Sequence, residues 1–240
     1  MNKVNKAIIM AAGIGQRMRP ITNTTPKPLV CVNGKRMIEG IIESLIERNI
    51  TDIIVVVGYL REQFDYLIER YGVRLIHNPD YAEANNISSL YYARNELCSC
   101  VILDGDQIIN DIEVIKNDFE HSGYACWHID EESKEWIMQL SADGEVVSCS
   151  RNGGINGWEL KSLSYWTEAD AQKLSKYIEN EYESGNKQIY WDDVAMFLHK
   201  DALKLFGHKI PKDSITEIDN IDELIAIDKS YIKAKEKTSC

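Results

Sequence analysis

Apolar and polar positions give this chain two textures. From its start to about residue 120, short continuous apolar runs alternate with helical stripes. Residues 7–11 are an apolar run closed by glycine, the pattern of a buried strand. Residues 36–48 carry apolar side chains at 37, 38, 41, 42, 45 and 46, one face of a helix. Residues 52–57 are rich in β-branched side chains and precede Gly58, which predicts a buried parallel strand. Residues 60–71 read as a second amphipathic helix stopped by Gly72, and 73–76 as a short strand. A third helix is predicted over 87–97, behind the pair Asn85-Asn86, and a strand over 100–103 that runs into Asp104-Gly105-Asp106. Four such alternations predict an α/β fold with a doubly wound, mostly parallel, Rossmann-like sheet. Ligands of such sheets bind beyond the carboxyl ends of the strands, so loops 12–28, 77–89 and 104–107 become the candidates.

After residue 121 the apolar runs shorten or alternate. Residues 124–129, 136–140, 146–149 and 160–166 predict antiparallel strands, with turns at Asp143-Gly144 and Gly153-Gly154. Thr167 is placed to cap a helix ending near Glu183 and Gly185, with Asp170 completing a capping box. Residues 192–200 read as a helix, 214–218 as a short strand and 221–235 as a closing amphipathic helix. No low-complexity linker separates the halves, so the second is read as a smaller antiparallel extension of one mixed sheet, and 1–240 as a single domain.

The composition is that of an ordinary globule, with 44% hydrophobic and 27% charged residues. A net charge of -11 argues against nucleic acid or an anionic membrane as partner. No apolar run nears the ~20 residues needed to span a bilayer, and the N-terminus lacks a signal-peptide core. The six cysteines, at 31, 98, 100, 126, 149 and 240, show no CxxC spacing and read as free thiols. These features predict a cytoplasmic protein.

Against that acidic background the opening stretch, 6–29, is basic. It carries Arg17, Arg19 and Lys27, while the first carboxylate of the chain is Glu39. Gly13 and Gly15 loosen the loop after the first strand, and Pro26 and Pro28 fix the backbone around Lys27. A dinucleotide fingerprint needs a third glycine where Met18 stands, and a Walker A loop needs a Gly-Lys-Ser/Thr that is absent. A plain tight turn leaves the three cations unexplained. Loop N–H groups plus fixed cations make a cradle for a triphosphate.

The series Ala11-Ala12-Gly13-x-Gly15-x-Arg17, then Pro20-x-Thr22 and Pro26-Lys27, resembles the signature of nucleotidyltransferases that join an NTP to a phosphorylated small molecule. Further segments extend the resemblance over nearly the whole chain: VVVGYLREQFDYL from 55, NPDYAEANNISSLYYAR from 78, DGD at 104–106, IYWDD at 189–193 and TEIDNIDEL at 216–224. Together they look most like the bacterial CTP:phosphocholine cytidylyltransferases. That resemblance implies a nucleotide-binding half, 1–120, and an acceptor-binding half, 121–240. It implies a backbone wrap of the nucleotide by Ala11, Ala12, Gly13, Ile14 and Gly15, with Asn86, Ser89 and Asp104 near base and ribose. Arg17 matches the residue on the leaving pyrophosphate and Lys27 the one at the α-phosphate. Asp106 and Asp219 match the carboxylates that hold Mg²⁺, the implied cofactor. Taken alone, Asp-Gly-Asp is often only a turn, and the acidic run around Asp219 a solvated helix start.

Aromatic residues in the second half bear on the acceptor. A quaternary ammonium donates no hydrogen bonds and is held by aromatic faces beside a carboxylate. Trp136 and Tyr190 are the expected cage walls and Asp192 the expected anion, although each ring also fits a strand core. Tyr165 and Trp166 are adjacent on one strand and face opposite sides, so at most one lines a pocket. Two departures from the resemblance, Ser162-Leu163 where a small residue such as Gly is expected and the segment 153–157, fall near the acceptor. The expected partners are CTP and a small phosphorylated acceptor, phosphocholine first. Aminoethylphosphonate, phosphoethanolamine, phosphoglutamine or a sugar 1-phosphate is the alternative. A homodimer, or a fusion to another pathway enzyme such as a kinase or transaminase, is left open. A nucleotide-sensing module without catalysis is the third reading, opposed by Arg17, Lys27, Asp106 and Asp219 occurring together.

Overall fold

The computed structural model describes residues 1–233; residues 234–240, including Cys240 and the end of the predicted closing helix, lie outside the described residues. Seven elements of the first half follow the predicted alternation: β1 (Lys6–Ala11), α1 (Met37–Glu47), β2 (Ile53–Val57), α2 (Tyr66–Tyr71), β3 (Arg74–His77), α3 (Ile87–Ala93) and β4 (Cys100–Asp104). Strands β1, β2, β3 and β4 pair in parallel in the order β4-β1-β2-β3. Their side chains alternate between two cores, as strand geometry requires. Ile9, Val55 and Leu103 meet Ile38, Ile41, Ile42 and Leu45 of α1 on one face, all of them buried. Ile8, Ile54 and Ile102 meet Leu90 of α3 on the other. Each fully buried aliphatic contributes roughly 1.5–3 kcal/mol, which is why continuous apolar strands require cover on both faces.

The second half adds β5 (Gln107–Ile109), β6 (Gly123–Ile129), β7 (Ile137–Leu140), β8 (Val146–Ser150), β9 (Gly157–Trp166), α4 (Glu168–Glu183), a short turn α5 (Trp191–Asp193), β10 (Phe206–Lys209), β11 (Ile215–Glu217) and α6 (Ile221–Ile227). Strand β9 joins the two textures into one nine-stranded sheet. Its far end, Leu163 to Trp166, runs antiparallel to β4, and its near end pairs with β7. Along its length it pairs with β6. Tyr165 and Trp166 do face opposite cores, and both are fully buried, so neither opens onto a pocket.

Several boundaries differ from the sequence reading. The predicted helix over 60–71 splits, because Leu60 takes a left-handed backbone (φ 48°) and residues Arg61–Phe64 form a tight 3₁₀ turn before α2. The helix over 87–97 ends early in a similar turn, Arg94–Glu96. Residues 192–200 are not a regular helix: α5 widens into a π turn, Val194–Leu198. Strand β9 starts at Gly157, where a Cβ would stand 2.3 Å from Ile137 Cγ2. Strand β10, unmarked by periodicity, pairs in parallel with β6. The Asp170 N–H donates to Thr167 Oγ1 as expected, but the Thr167 N–H donates to Ser122 Oγ, so Ser122 replaces Asp170 in closing the box.

Trp166 meets Tyr124 and Trp191 edge to face, with ring centroids 6.1 and 6.0 Å apart. Replacing it by alanine leaves a cavity where no neighbouring strand can collapse. Trp166→Ala is expected to lower unfolding free energy by about 3–5 kcal/mol, measured by urea denaturation.

Candidate active site

The basic stretch after β1 is bent by Gly15. Its φ of 67° suits glycine, and a Cβ there would press to 3.0 Å on Lys27 Cβ and 3.1 Å on Thr22 Cγ2. The Thr22 hydroxyl donates to the Gly15 carbonyl at 2.8 Å and closes the bend. Gly13, by contrast, has open space where a Cβ would stand. A 3₁₀ turn, Lys27–Leu29, then sends the Lys27 side chain inward, where the residue is only 8% exposed.

Lys27 is the electrostatic centre. Its Nζ donates to Asp106 Oδ2 at 2.5 Å and to Asp219 Oδ1 at 2.9 Å, and Arg17 Nη2 donates to the same Asp219 oxygen at 2.9 Å. Burial opposes the lysine's charge, but the two carboxylates outweigh it and hold Lys27 above its usual range. Burial likewise opposes charge on Asp219, and Lys27 and Arg17 still hold it below the ordinary carboxylate range. Two features bring residues so distant in sequence together. Strand β11 pairs antiparallel with β5, Glu217 opposite Gln107, and the Ile218 N–H donates to the Asp106 carbonyl. A small apolar cluster of Met18, Val30, Val32, Met37, Ile218 and Leu224 then packs the basic stretch against the acidic C-terminal segment.

Two cavities adjoin this centre. One, of about 410 Å³, is lined by Ala11, Ala12, Gly13, Gly15, Gln16, Arg17, Lys27, Asn86, Ser89, Asp104, Asp106 and Asp219. Thus all the residues expected around the nucleotide converge except Ile14, which does not line it. The second, of about 540 Å³, shares Arg17, Lys27, Asn86 and the three aspartates with the first. It adds Trp136, Tyr190 and Asp192, the residues named above for the acceptor, together with Lys134, Glu135, Arg151, Leu160, Ser162, Glu217 and Glu223. The loops expected at the strand ends, 12–28, 77–89 and 104–107, thus each contribute to the site.

Behind the lining lies a support that sequence reasoning missed. Buried Asn78 donates from Nδ2 to both Ser88 Oγ (2.9 Å) and Ser89 Oγ (3.0 Å), fixing the start of α3. Asn86 Oδ1 accepts from the Trp191 N–H at 2.9 Å, tying the start of α3 to α5. The Asn-Pro pair at 78–79 was a visible turn signal, but its partners are set by the tertiary fold.

The second cavity gathers carboxylates. Burial pushes Asp192 up to about 7, against the stabilising Tyr124 hydroxyl beside it. Burial, with the Asp106 charge adding to it, pushes Glu217 up to about 7 as well. Asp104 stands well above its usual range through burial and then the charges of Asp106, Glu217 and Asp192. The Ser162 hydroxyl, one of the departures noted above, donates to Glu217 Oε1 at 2.6 Å. The Trp136 and Tyr190 rings meet edge to face, 6.0 Å apart at 89°, so they do not present two parallel walls.

Comparison with known proteins gives the family. A family model described as nucleotidyl transferase matches residues 6–123. The chain is 40% identical over 230 residues to a 2-aminoethylphosphonate cytidylyltransferase of Lancefieldella rimae, covering 94% of this chain and 93% of the relative. The chain belongs to the nucleotidyltransferase family. It is also 39% identical to the choline-phosphate cytidylyltransferase of Streptococcus pneumoniae, over 91% of this chain and 94% of that one. A solved structure of the CTP:phosphocholine cytidylyltransferase from Streptococcus pneumoniae superimposes with a TM-score of 0.88, covering 95% of this chain and 99% of the other at 38% identity. Like these relatives, this nucleotidyltransferase is an enzyme. Among the described residues, no helix is long and apolar enough to cross a membrane, and Cys31, Cys98, Cys100, Cys126 and Cys149 are free thiols.

A carboxyl raised by burial stays protonated in the fold while the unfolded chain has already lost its proton. Its contribution to stability therefore falls as pH rises from about 4 through 7, and is constant above. Asp192→Asn removes that loss. The variant's melting temperature is expected to exceed that of the parent by on the order of 5 °C at pH 8, with the gap closing toward pH 4.

Proposed function

We propose that this nucleotidyltransferase moves CMP from CTP to a small phosphorylated amine, releasing pyrophosphate. The observation that carries the reading is the paired cavity: a glycine-lined polyanion cradle and a carboxylate-rich pocket meeting at Lys27. The cytidylyltransferase names of the relatives support CTP as donor. Phosphocholine is an acceptor candidate through the choline-phosphate relatives and the Trp136–Tyr190 wall. The primary amines phosphoethanolamine and 2-aminoethylphosphonate are candidates through the Lancefieldella rimae relative and the buried carboxylates.

In this reading an acceptor oxygen attacks the α-phosphorus in line, a new P–O bond forms, and the bond to the bridging oxygen of pyrophosphate breaks. No covalent enzyme intermediate is needed, so the protein positions the reactants and neutralises charge. Lys27, at the junction of the cavities, stabilises the charge that grows on the α-phosphoryl oxygens. Arg17, whose side chain is 70% exposed, is free to swing from Asp219 onto the departing pyrophosphate.

Asp106 and Asp219 would hold Mg²⁺. Their carboxylates already converge on one cation, the Lys27 ammonium, and supply hard oxygen donors. Among the described residues no three His, Cys, Asp or Glu side chains are grouped to bind a metal by themselves, so the triphosphate and water would complete the set. When bound, the ion would screen the phosphate charge and polarise the phosphoryl oxygens.

The test is pyrophosphate release from CTP with phosphocholine, phosphoethanolamine and 2-aminoethylphosphonate, with and without Mg²⁺. Lys27→Ala and Asp106→Asn are each expected to lower kcat/KM on the order of 1,000-fold while the proteins remain folded by circular dichroism. Parent enzyme that releases no pyrophosphate with any of these acceptors overturns the reading.

A further inference from the structure

Besides the shared Arg17 and Lys27, the acceptor cavity is lined by Lys134 and Arg151, and the transfer reading leaves Arg151 without a role. Arg151 belongs to the loop between β8 and β9, ahead of the glycine-rich segment that departs from the family resemblance. Its guanidinium lies 4.2 Å from the centroid of the Phe197 ring and 5.7 Å from that of Trp136. Its Nη2 stands 2.6 Å from Oδ1 of Asp193, a residue 2% exposed whose other oxygen accepts from the Tyr190 N–H. A buried carboxylate thus pairs with one end of a planar cation whose face lies over aromatic rings, while 44% of the arginine side chain stays exposed.

The consequence falls on the aromatic wall. Trp136 meets Tyr190 edge-on and Phe197 at 67°, and the guanidinium already lies over its ring. A trimethylammonium group needs open aromatic faces free of like charge. The remaining wall offers the opposite chemistry. Asp192, Glu217 and Asp104, with the Ser162 hydroxyl, present hydrogen-bond acceptors that are reached through the cavity. A trimethylammonium donates no hydrogen bond, whereas a primary ammonium donates three.

We propose that Arg151 is an acceptor-selecting residue: it closes the aromatic wall to quaternary ammonium and directs the acceptor's cationic end to the carboxylates, so that a primary amine is preferred to its trimethylated counterpart. This rests on the cytidylyl-transfer reading and narrows its substrate class. The residue acts by positioning and touches none of the reacting atoms.

The test is steady-state kinetics of the full chain with saturating CTP. The parent enzyme is expected to use phosphoethanolamine or 2-aminoethylphosphonate with a kcat/KM at least tenfold above that for phosphocholine. Arg151→Ala is expected to shrink that ratio at least tenfold, by improving use of phosphocholine. Arg151→Gln, which retains a polar partner for Asp193, is expected to shift it the same way and decides the matter if the alanine variant does not fold. A parent enzyme that prefers phosphocholine, or a folded variant with the ratio unchanged, overturns the proposal. Loss of pyrophosphate release with every acceptor instead removes the transfer reading beneath it.

Discussion

One ammonium group organises this molecule's working surface. Lys27 is buried, and a buried cation persists only when opposite charge compensates the loss of water. Asp106 and Asp219 provide that compensation, and in doing so they draw together the loop after the first strand, the end of the fourth and a segment near the C-terminus. Asp106, Asp219 and Lys27 keep 23%, 33% and 10% of their side-chain surface exposed, and all three line both cavities, where each can take a new partner. The pair of carboxylates is thus held ready for a different cation, and the lysine for a different anion.

The same logic bears on the surrounding acids, three of which burial disfavours in their charged form. A pocket with Asp104, Asp106, Asp192, Glu217 and Asp219 all ionised would repel a triphosphate and itself. Burial keeps Asp104, Asp192 and Glu217 inclined to hold protons, while Lys27 and Arg17 draw Asp219 the other way. The two cavities therefore differ in electrostatic character although they share six residues. One presents glycine backbone beside the shared Arg17 and Lys27. The other presents acids whose charge a cationic ligand would call out.

The parallel half of the fold was legible because β-branched runs and helical stripes are local signals backed by burial on both faces. The joining of both halves into one sheet followed from the lack of a linker. What could not be read was anything set by long-range register. The pairing that places Asp219 beside Asp106 leaves no mark in the sequence around either residue. Phe206–Lys209 is too short and too polar to announce a strand, and the π turn after Asp193 arises from packing rather than propensity. Within the site, the glycines, Arg17 and Lys27 stood out through their contrast with an acidic chain, while Asp106 and Asp219 were marked by the family resemblance. Arg151 did not, since a lone arginine in a glycine-rich loop looks like any solvated charge, and Asn78 was hidden because its role depends on two serines a helix away.

The contact between Lys27 and Asp219 spans 192 residues of sequence. Loop-closure entropy for such a separation must be met before the contact can form, and the intervening nine-stranded sheet is what meets it. During synthesis the cradle emerges first, Asp106 next and Asp219 well after both. A ribosome-bound or C-terminally shortened chain can hold much of the parallel sheet and still lack the second carboxylate that tethers the lysine. The site is therefore assembled only once the strand before Asp219 has paired beside Asp106, and its geometry reports that these distant segments have closed on each other.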